Sequence, residues 1–332
     1  MELDFRKIVV YFAKMDDIGT EARRRRIGVL PISGFALMSY ASTVEPFRAA
    51  NLLSRHPLYE VIHYGPNAEP IQSSGVAQVA PEAGLHEAAD LDYLFVIAGG
   101  DPVSFQDRRI FNWLGRMARS GTRLGGVSGG PVILARAGLM ERRRMTVHWE
   151  HAGALAEHLP QLLIERSLYV IDRDRVTCAG GTAPMDLMHA LISQHHGARF
   201  AQLVSDWFLH TEVRPSIGPQ RGGLVERVGA TNTAILDAVK MMENHVADPV
   251  PLRSLAVSSG VSPRQLNRLF VQKLGRSTMR YYRELRLDKS LSLLRNSPLS
   301  VTEIALATGF SNSSHFSKSI SNSFGYPPST LR

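Results

Sequence analysis

LRSLAVSSGVSPRQLNRLFVQKLG (residues 252–275) and VTEIALATGFSNSSHFSKSISNSFG (residues 301–325) are two versions of one pattern, which decides how the C-terminal third folds. Gly260, Val261 and Ser262 correspond to Gly309, Phe310 and Ser311. After one inserted residue, Leu266, Arg268, Phe270, Leu274 and Gly275 correspond to Phe316, Lys318, Ile320, Phe324 and Gly325. Each unit reads as a short helix, a turn entered through glycine, and a second helix. The glycines supply the left-handed conformation that ends the first helix, and Ser262 and Ser311 are placed to cap the second. Pro263 then takes the first helical position, where a missing amide is harmless. Leu266, Leu269 and Phe270 form an apolar stripe at three- and four-residue spacing, which puts Arg264, Gln265, Asn267 and Arg268 on the opposite face. Those residue types suit the major groove, because Arg can pair twice with guanine and Asn or Gln twice with adenine. Asn312, Ser313, Ser314, His315 and Lys318 fill the comparable face of the second unit. Between the units, residues 278–295 read as one long helix with Tyr281, Leu285 and Leu293 or Leu294 inward and Arg280, Arg283 and Arg286 outward. Such a stiff connector would present two reading helices about one DNA turn apart, roughly 34 Å.

The charge distribution agrees with this reading. Residues 231–332 hold 13 Lys and Arg against 6 Asp and Glu, so they carry +7 of the chain's +8. A basic block of that size is the footprint of a polyanion binder, although charge alone does not separate it from a solvated basic surface. No apolar run reaches the roughly 18 residues of a membrane helix. The N-terminus lacks the pattern of a secretory signal. A single cysteine, Cys178, excludes an internal disulfide and a multi-cysteine zinc site, which fits a reducing, cytoplasmic setting. Neither a metal nor a cofactor is called for.

At 332 residues the chain is expected to form two domains of unequal size. Residues 1–25 read as an extension ending in an arginine run. From residue 26, strand-like runs at 27–32, 60–64, 93–98, 124–127 and 168–171 alternate with helix-like stretches at 44–53, 110–118 and 185–195. That alternation implies an α/β domain, a parallel sheet covered on both faces, over residues 26–213. Ligands of such sheets sit beyond the carboxyl ends of the strands. Residues 214–230, rich in Pro and Gly, read as the linker, and an all-α domain follows over 231–332.

Two resemblances carry the reading further. Residues 231–332, through GVSPRQLNRLF and GFSNSSHFSK, resemble the AraC/XylS-type tandem helix-turn-helix domain, which implies sequence-specific binding to double-stranded DNA. Residues 26 to about 210 resemble the DJ-1/PfpI, class I glutamine amidotransferase-like superfamily, a doubly wound, flavodoxin-like parallel sheet. The matching pieces are Ile97-Ala98-Gly99-Gly100, the turn GGVSGGP at 125–131, Thr146-Val147-His148-Trp149 and Ala179-Gly180-Gly181-Thr182. In enzymes of this superfamily the turn presents a cysteine; here it presents Ser128, with His148 as the one candidate base nearby and Ser39 where the enzymes keep an acid. The resemblance therefore implies a catalytically inactive ligand sensor, the alternative being a hydrolase or amidase that uses Ser128 and His148. In the sensor, the Gly99, Gly100 and Gly129 amides would receive a carboxylate. Glu45 would face a cation or simply support its helix. Trp149 would face a quaternary ammonium or lie in the core. Thr182 would touch ligand or cap its helix. ALMSYASTVEPFRAAN, SDWFLHTEVRPSIGPQR and SPRQL are similar to the regulators that respond to glycine betaine, carnitine or arginine. That likeness implies an amine-containing effector and activation through RNA polymerase. A homodimer on direct half-sites fits a chain that reads a short site.

Overall fold

The computed structural model describes residues 23–86, 90–296 and 299–331. Nearly all of the expected 1–25 extension lies outside the described residues. The chain divides into two compact units, one ending at Gln220 and the other beginning at Arg221.

The first unit is built on seven strands: β1 (Arg25–Pro31), β2 (Tyr59–Gly65), β3 (Ala83–Gly84), β4 (Tyr93–Ala98), β5 (Arg123–Ser128), β6 (Tyr169–Asp172) and β7 (Arg175–Cys178). Their order across the sheet is β6-β7-β5-β4-β1-β2-β3. Every pairing is parallel except β6 with β7. That exception departs from the expected all-parallel sheet, because Arg173 turns left-handed at φ 59° and folds β6 back on β7. Residues 93–98 show why the strands form: Tyr93, Phe95 and Ile97 enter one core while Leu94, Val96 and Ala98 enter another. A run apolar on both sides is stable only where helices cover both faces. The helices are α1 (Leu37–Leu53), α2 (Arg108–Arg119), α3 (Gly130–Arg136), α4 (Trp149–His158), α5 (Ala183–His196) and α6 (Ala198–Trp207). Phe47, Leu187 and Phe200 bring α1, α5 and α6 onto one face, and Trp113, Ile133 and Leu155 bring α2, α3 and α4 onto the other.

The second unit is helical: α7 (Leu224–Val228), α8 (Thr233–Asn244), α9 (Leu252–Ser258), α10 (Pro263–Leu274), α11 (Thr278–Asn296), α12 (Val301–Ala307) and α13 (Ser313–Phe324). It has two small cores. Ile235, Leu255, Leu266, Phe270 and Tyr282 make the first, and Leu287, Leu294, Ile304, Phe316 and Ile320 the second. The connector α11 contributes to both, so its buried apolar side chains are Tyr282, Leu287, Leu293 and Leu294, while Tyr281 and Leu285 are only half-buried. A single apolar stripe cannot describe a helix that serves two cores around its circumference.

The stretch read as a linker is divided between the units. Gln220 Nε2 donates to the Val147 and Ser167 carbonyls at 3.1 and 2.7 Å, whereas Val228 and Ala230 lie in the first core of the helical unit. Pro and Gly exclude helix and strand over 214–223 but leave the chain free to dock by side chains and carbonyls.

Candidate DNA interface and ligand cavity

In the first helix-turn-helix, Gly260 takes φ 66°, and the Val261 amide donates back to Ala256 at 3.1 Å. Ser262 Oγ accepts from the Gln265 amide at 3.2 Å, with Pro263 opening α10 as expected. Leu266 and Phe270 are buried, and Arg264, Gln265 and Arg268 are exposed together. Asn267 departs from the expected face. It is half-buried, and its Oδ1 accepts from the Thr278 amide at 3.0 Å, tying α10 to the start of α11.

In the second unit Gly309 takes φ 73°, but the cap is Asn312 rather than Ser311. Asn312 Oδ1 accepts from the Ser314 and His315 amides at 2.8 and 3.2 Å. The inserted residue shifts the helix start to Ser313, so Ser311 falls one position too early. Ser313, Ser314, His315 and Lys318 are exposed, over buried Phe316 and Ile320. Ser300 and Glu303 form a reciprocal capping box at the start of α12.

Of the connector arginines, Arg280 and Arg283 are exposed as expected and Arg286 is not. Arg286 is half-buried and donates from Nε to the Thr308 carbonyl at 2.7 Å and from Nη2 to that of Gly309 at 2.6 Å. Its guanidinium lies 4.4 Å from the centre of the Phe310 ring, and burial lowers its pKa. Arg283 Nη2 donates to Ser319 Oγ at 3.0 Å, and Arg280 Nε to Glu284 at 3.0 Å. These side chains brace the second unit and the connector's own surface. The exposed cations aligned with the reading faces are Arg264, Arg268 and Lys318.

In the first unit the end of β5 makes a tight elbow. Ser128 adopts φ 60°, a left-handed conformation that side chains rarely occupy. A Cβ on Gly130 would come within 2.0 Å of the Val96 carbonyl, and one on Gly180 within 2.6 Å of Ser128 Cβ. The elbow therefore needs glycine on both sides. Ser128 is only 6% exposed, and among the described residues its hydroxyl makes no hydrogen bond to His148. His148 caps α4, its Nδ1 accepting from the Glu150 amide at 3.4 Å. Burial lowers the His148 pKa, with Glu150 opposing. Ser39 is fully buried and accepts from the Gly181 amide at 2.8 Å, so it ties α1 to the turn after β7.

A cavity of about 200 Å³ opens beside this elbow, lined by His148, Trp149, Leu168, the 179–183 turn, Arg214 and Gln220. Of the residues expected to hold ligand, it gathers His148, Trp149 and Thr182. Trp149 is 42% exposed rather than core, with its ring 5.2 Å from that of His148. Thr182 makes no cap; its Oγ1 accepts from Arg214 Nη2 at 3.0 Å. The others fall elsewhere. The Gly129 amide already donates to the Ala98 carbonyl at 3.0 Å, in continuation of the β4–β5 ladder, so it is not a free donor. Gly99 packs against the backbone of 34–36, where a Cβ would meet the Gly34 carbonyl at 2.6 Å. Neither Gly99, Gly100 nor Ser128 is on the cavity wall. Glu45 lies on α1, away from that wall, and accepts from Arg48 Nε at 2.7 Å. Arg214 and Gln220 are the wall residues that sequence reading passed over, since their Pro- and Gly-rich surroundings read as linker. A larger hollow of about 400 Å³, lined by Val132, Ala135, Leu155 and Leu162 among others, contains none of the expected residues.

Comparison with known proteins agrees with both halves. The DJ-1/PfpI family matches residues 26–194 and a helix-turn-helix domain matches residues 255–332. The chain is 43% identical over 309 residues to the HTH-type transcriptional regulator GlxA of Rhizobium meliloti, covering 93% of this chain and 95% of that one. It is 38% identical to the HTH-type transcriptional regulator CdhR of Pseudomonas aeruginosa, covering 91% and 90%. A crystal structure of an AraC family transcriptional regulator from Pseudomonas putida superposes with a TM-score of 0.51 at 25% identity, over 55% of this chain and 99% of that one. With a DJ-1/PfpI sheet ahead of two capped helix-turn-helix units, and whole-length likeness to such regulators, the chain belongs to the AraC-type DNA-binding transcription regulators that carry a DJ-1/PfpI domain.

Proposed function

We propose that a small amine-containing carboxylic acid, of the betaine, carnitine or basic amino acid kind, binds beside His148 and Trp149 and controls how the helical unit engages its operator. The cavity carries this reading: it offers two aromatic rings, one exposed, and a guanidinium within about 200 Å³, the chemistry that a molecule with a cation and a carboxylate needs. The bases are read by Arg264, Gln265 and Arg268 from α10 and by Ser313, Ser314, His315 and Lys318 from α13. Asn267 and Asn312 support those helices. Ser128 serves the fold of the elbow and not turnover: its carbonyl accepts from the His148 amide at 3.4 Å, whereas among the described residues its hydroxyl makes no hydrogen bond to the His148 ring, which supports that reading. Regulation by activation, through contact with RNA polymerase and as a homodimer, completes the proposal on the likeness to its relatives.

The test is DNase footprinting with the full chain. R264A and R268A should lose the protected sequence, with weaker binding of about 1–3 kcal/mol each and relaxed base preference. S128A should footprint as wild type, with its response to the effector intact. Protection that survives both arginine substitutions would overturn the assignment of α10 as a reading helix.

A further inference from the structure

Among the described residues Arg214 is the one guanidinium or carboxylate on the wall of the His148–Trp149 cavity, and its setting is built rather than incidental. Asp186 beneath it has no exposed surface. Asp186 Oδ2 accepts from Arg214 Nε at 3.0 Å and Nη2 at 2.6 Å. Its Oδ1 accepts from the Arg214 backbone amide at 2.8 Å and meets His210 Nε2 at 2.9 Å. Thr182 Oγ1 accepts once more from Nη2, at 3.0 Å. The inner edge of the guanidinium is thereby fixed, while Nη1 has no hydrogen-bond partner among the described residues. Much of the freedom that a surface arginine loses on capturing an anion is lost here on folding, so the free N–H groups are preorganised for a carboxylate.

We propose that Arg214 receives the carboxylate of the cavity's ligand, with Asp186 as its positioning residue and the His148 and Trp149 rings facing the rest of the molecule. This rests on the reading of the cavity as the effector site, and it moves the carboxylate from the elbow amides to a side chain. It also places the ligand's charge on a particular piece of chain. Arg214 and Gln220 both line the cavity, and the helical unit begins at the next residue, Arg221. The Leu168 amide donates to the Ser216 carbonyl at 2.8 Å within the same segment. An acid held by Arg214 therefore tightens the last segment of the sensor, the covalent lead into the reading unit.

Matched ligands test the idea on the full-length wild-type chain by thermal shift and calorimetry. Glycine betaine is compared with choline, and L-arginine with agmatine; each second compound keeps the cation and lacks the carboxylate. At least one acid is expected to raise the melting temperature with concentration, and its counterpart to bind at least about tenfold more weakly. In R214Q that preference should shrink to about twofold, with the protein still folded. R214K, which keeps a positive charge opposite Asp186, should fold and weaken the acid selectively. The assignment falls if choline or agmatine binds as tightly as its acid, if folded R214Q keeps the preference, or if neither acid binds. A chain that footprints its operator yet binds neither acid retains the regulator reading and loses this one.

Discussion

Asn267 shows how one contact separates a reading residue from a supporting one. Its position on α10 matches that of a base reader, yet its Oδ1 holds the first free amide of α11. N267A should therefore lower stability by about 1 kcal/mol, the usual effect of losing a cap, and weaken specific and nonspecific DNA binding alike. R264A should instead remove mainly the preference between sequences, so anisotropy titrations with cognate and scrambled duplexes distinguish the two. Titratable residues give a second prediction at this scale. Burial holds the His195 pKa down at about 3 and that of His151 at about 4, against about 6.5 in an unfolded chain. Between those values and 6.5 the unfolded state binds more protons, so the first unit loses stability as pH falls through that window. The urea midpoint should be lower at pH 5 than at pH 7; equal midpoints would contradict the burial of His151 and the partial burial of His195.

Among the elements, α11 decides whether the two helix-turn-helix units behave as one. It is buried in one core through Tyr282 and in the other through Leu287 and Leu294, and Arg286 fastens its middle to the turn of the second unit. R286A removes two charge-assisted bonds and leaves the Thr308 and Gly309 carbonyls without their donor, a loss of about 2–3 kcal/mol. Hydrogen exchange should quicken in α12 and α13 while α9 and α10 keep their protection, because the cores are separate. Uniform acceleration across all four helices would mean that the cores melt as one. At this scale much was legible. Five strand-like runs correspond to β1, β2, β4, β5 and β6, and the glycine turns and the Ser262 cap stand where the pattern put them. The Ser311 cap was misplaced by one residue because an insertion shifts helix phase, which alignment of a repeat does not reveal.

For the whole molecule, the concentration of positive charge in the last 102 residues predicts DNA binding that weakens steeply with salt. Removing a single groove-facing cation, as in K318A, should lower the slope of log K against log salt by about 1. An unchanged slope would place Lys318 away from the duplex. The candidate sites differ in how far the sequence exposed them. The candidate DNA face is local: its residues lie within about two helical turns of the cap that opens their helix, so spacing and periodicity list most of them. The cavity is not local. Arg214 reaches Asp186 across 28 positions, and Gln220 reaches Thr146 across 74. No periodicity connects such pairs, and the Pro- and Gly-rich segment that carries Arg214 and Gln220 advertises only that it is neither helix nor strand.

The sequence by itself determined the elements, the two-part organisation and the two tandem readers, because caps, glycine turns and apolar periods act over a few residues. Tertiary structure alone decided which polar groups remain available. It tied the Gly129 amide into the β4–β5 ladder, turned Arg286 inward and left Arg214 Nη1 without a hydrogen-bond partner among the described residues, on the cavity wall that Trp149 shares. A donor or acceptor is free only when every neighbour in space has found another partner, and those neighbours are brought together by the fold.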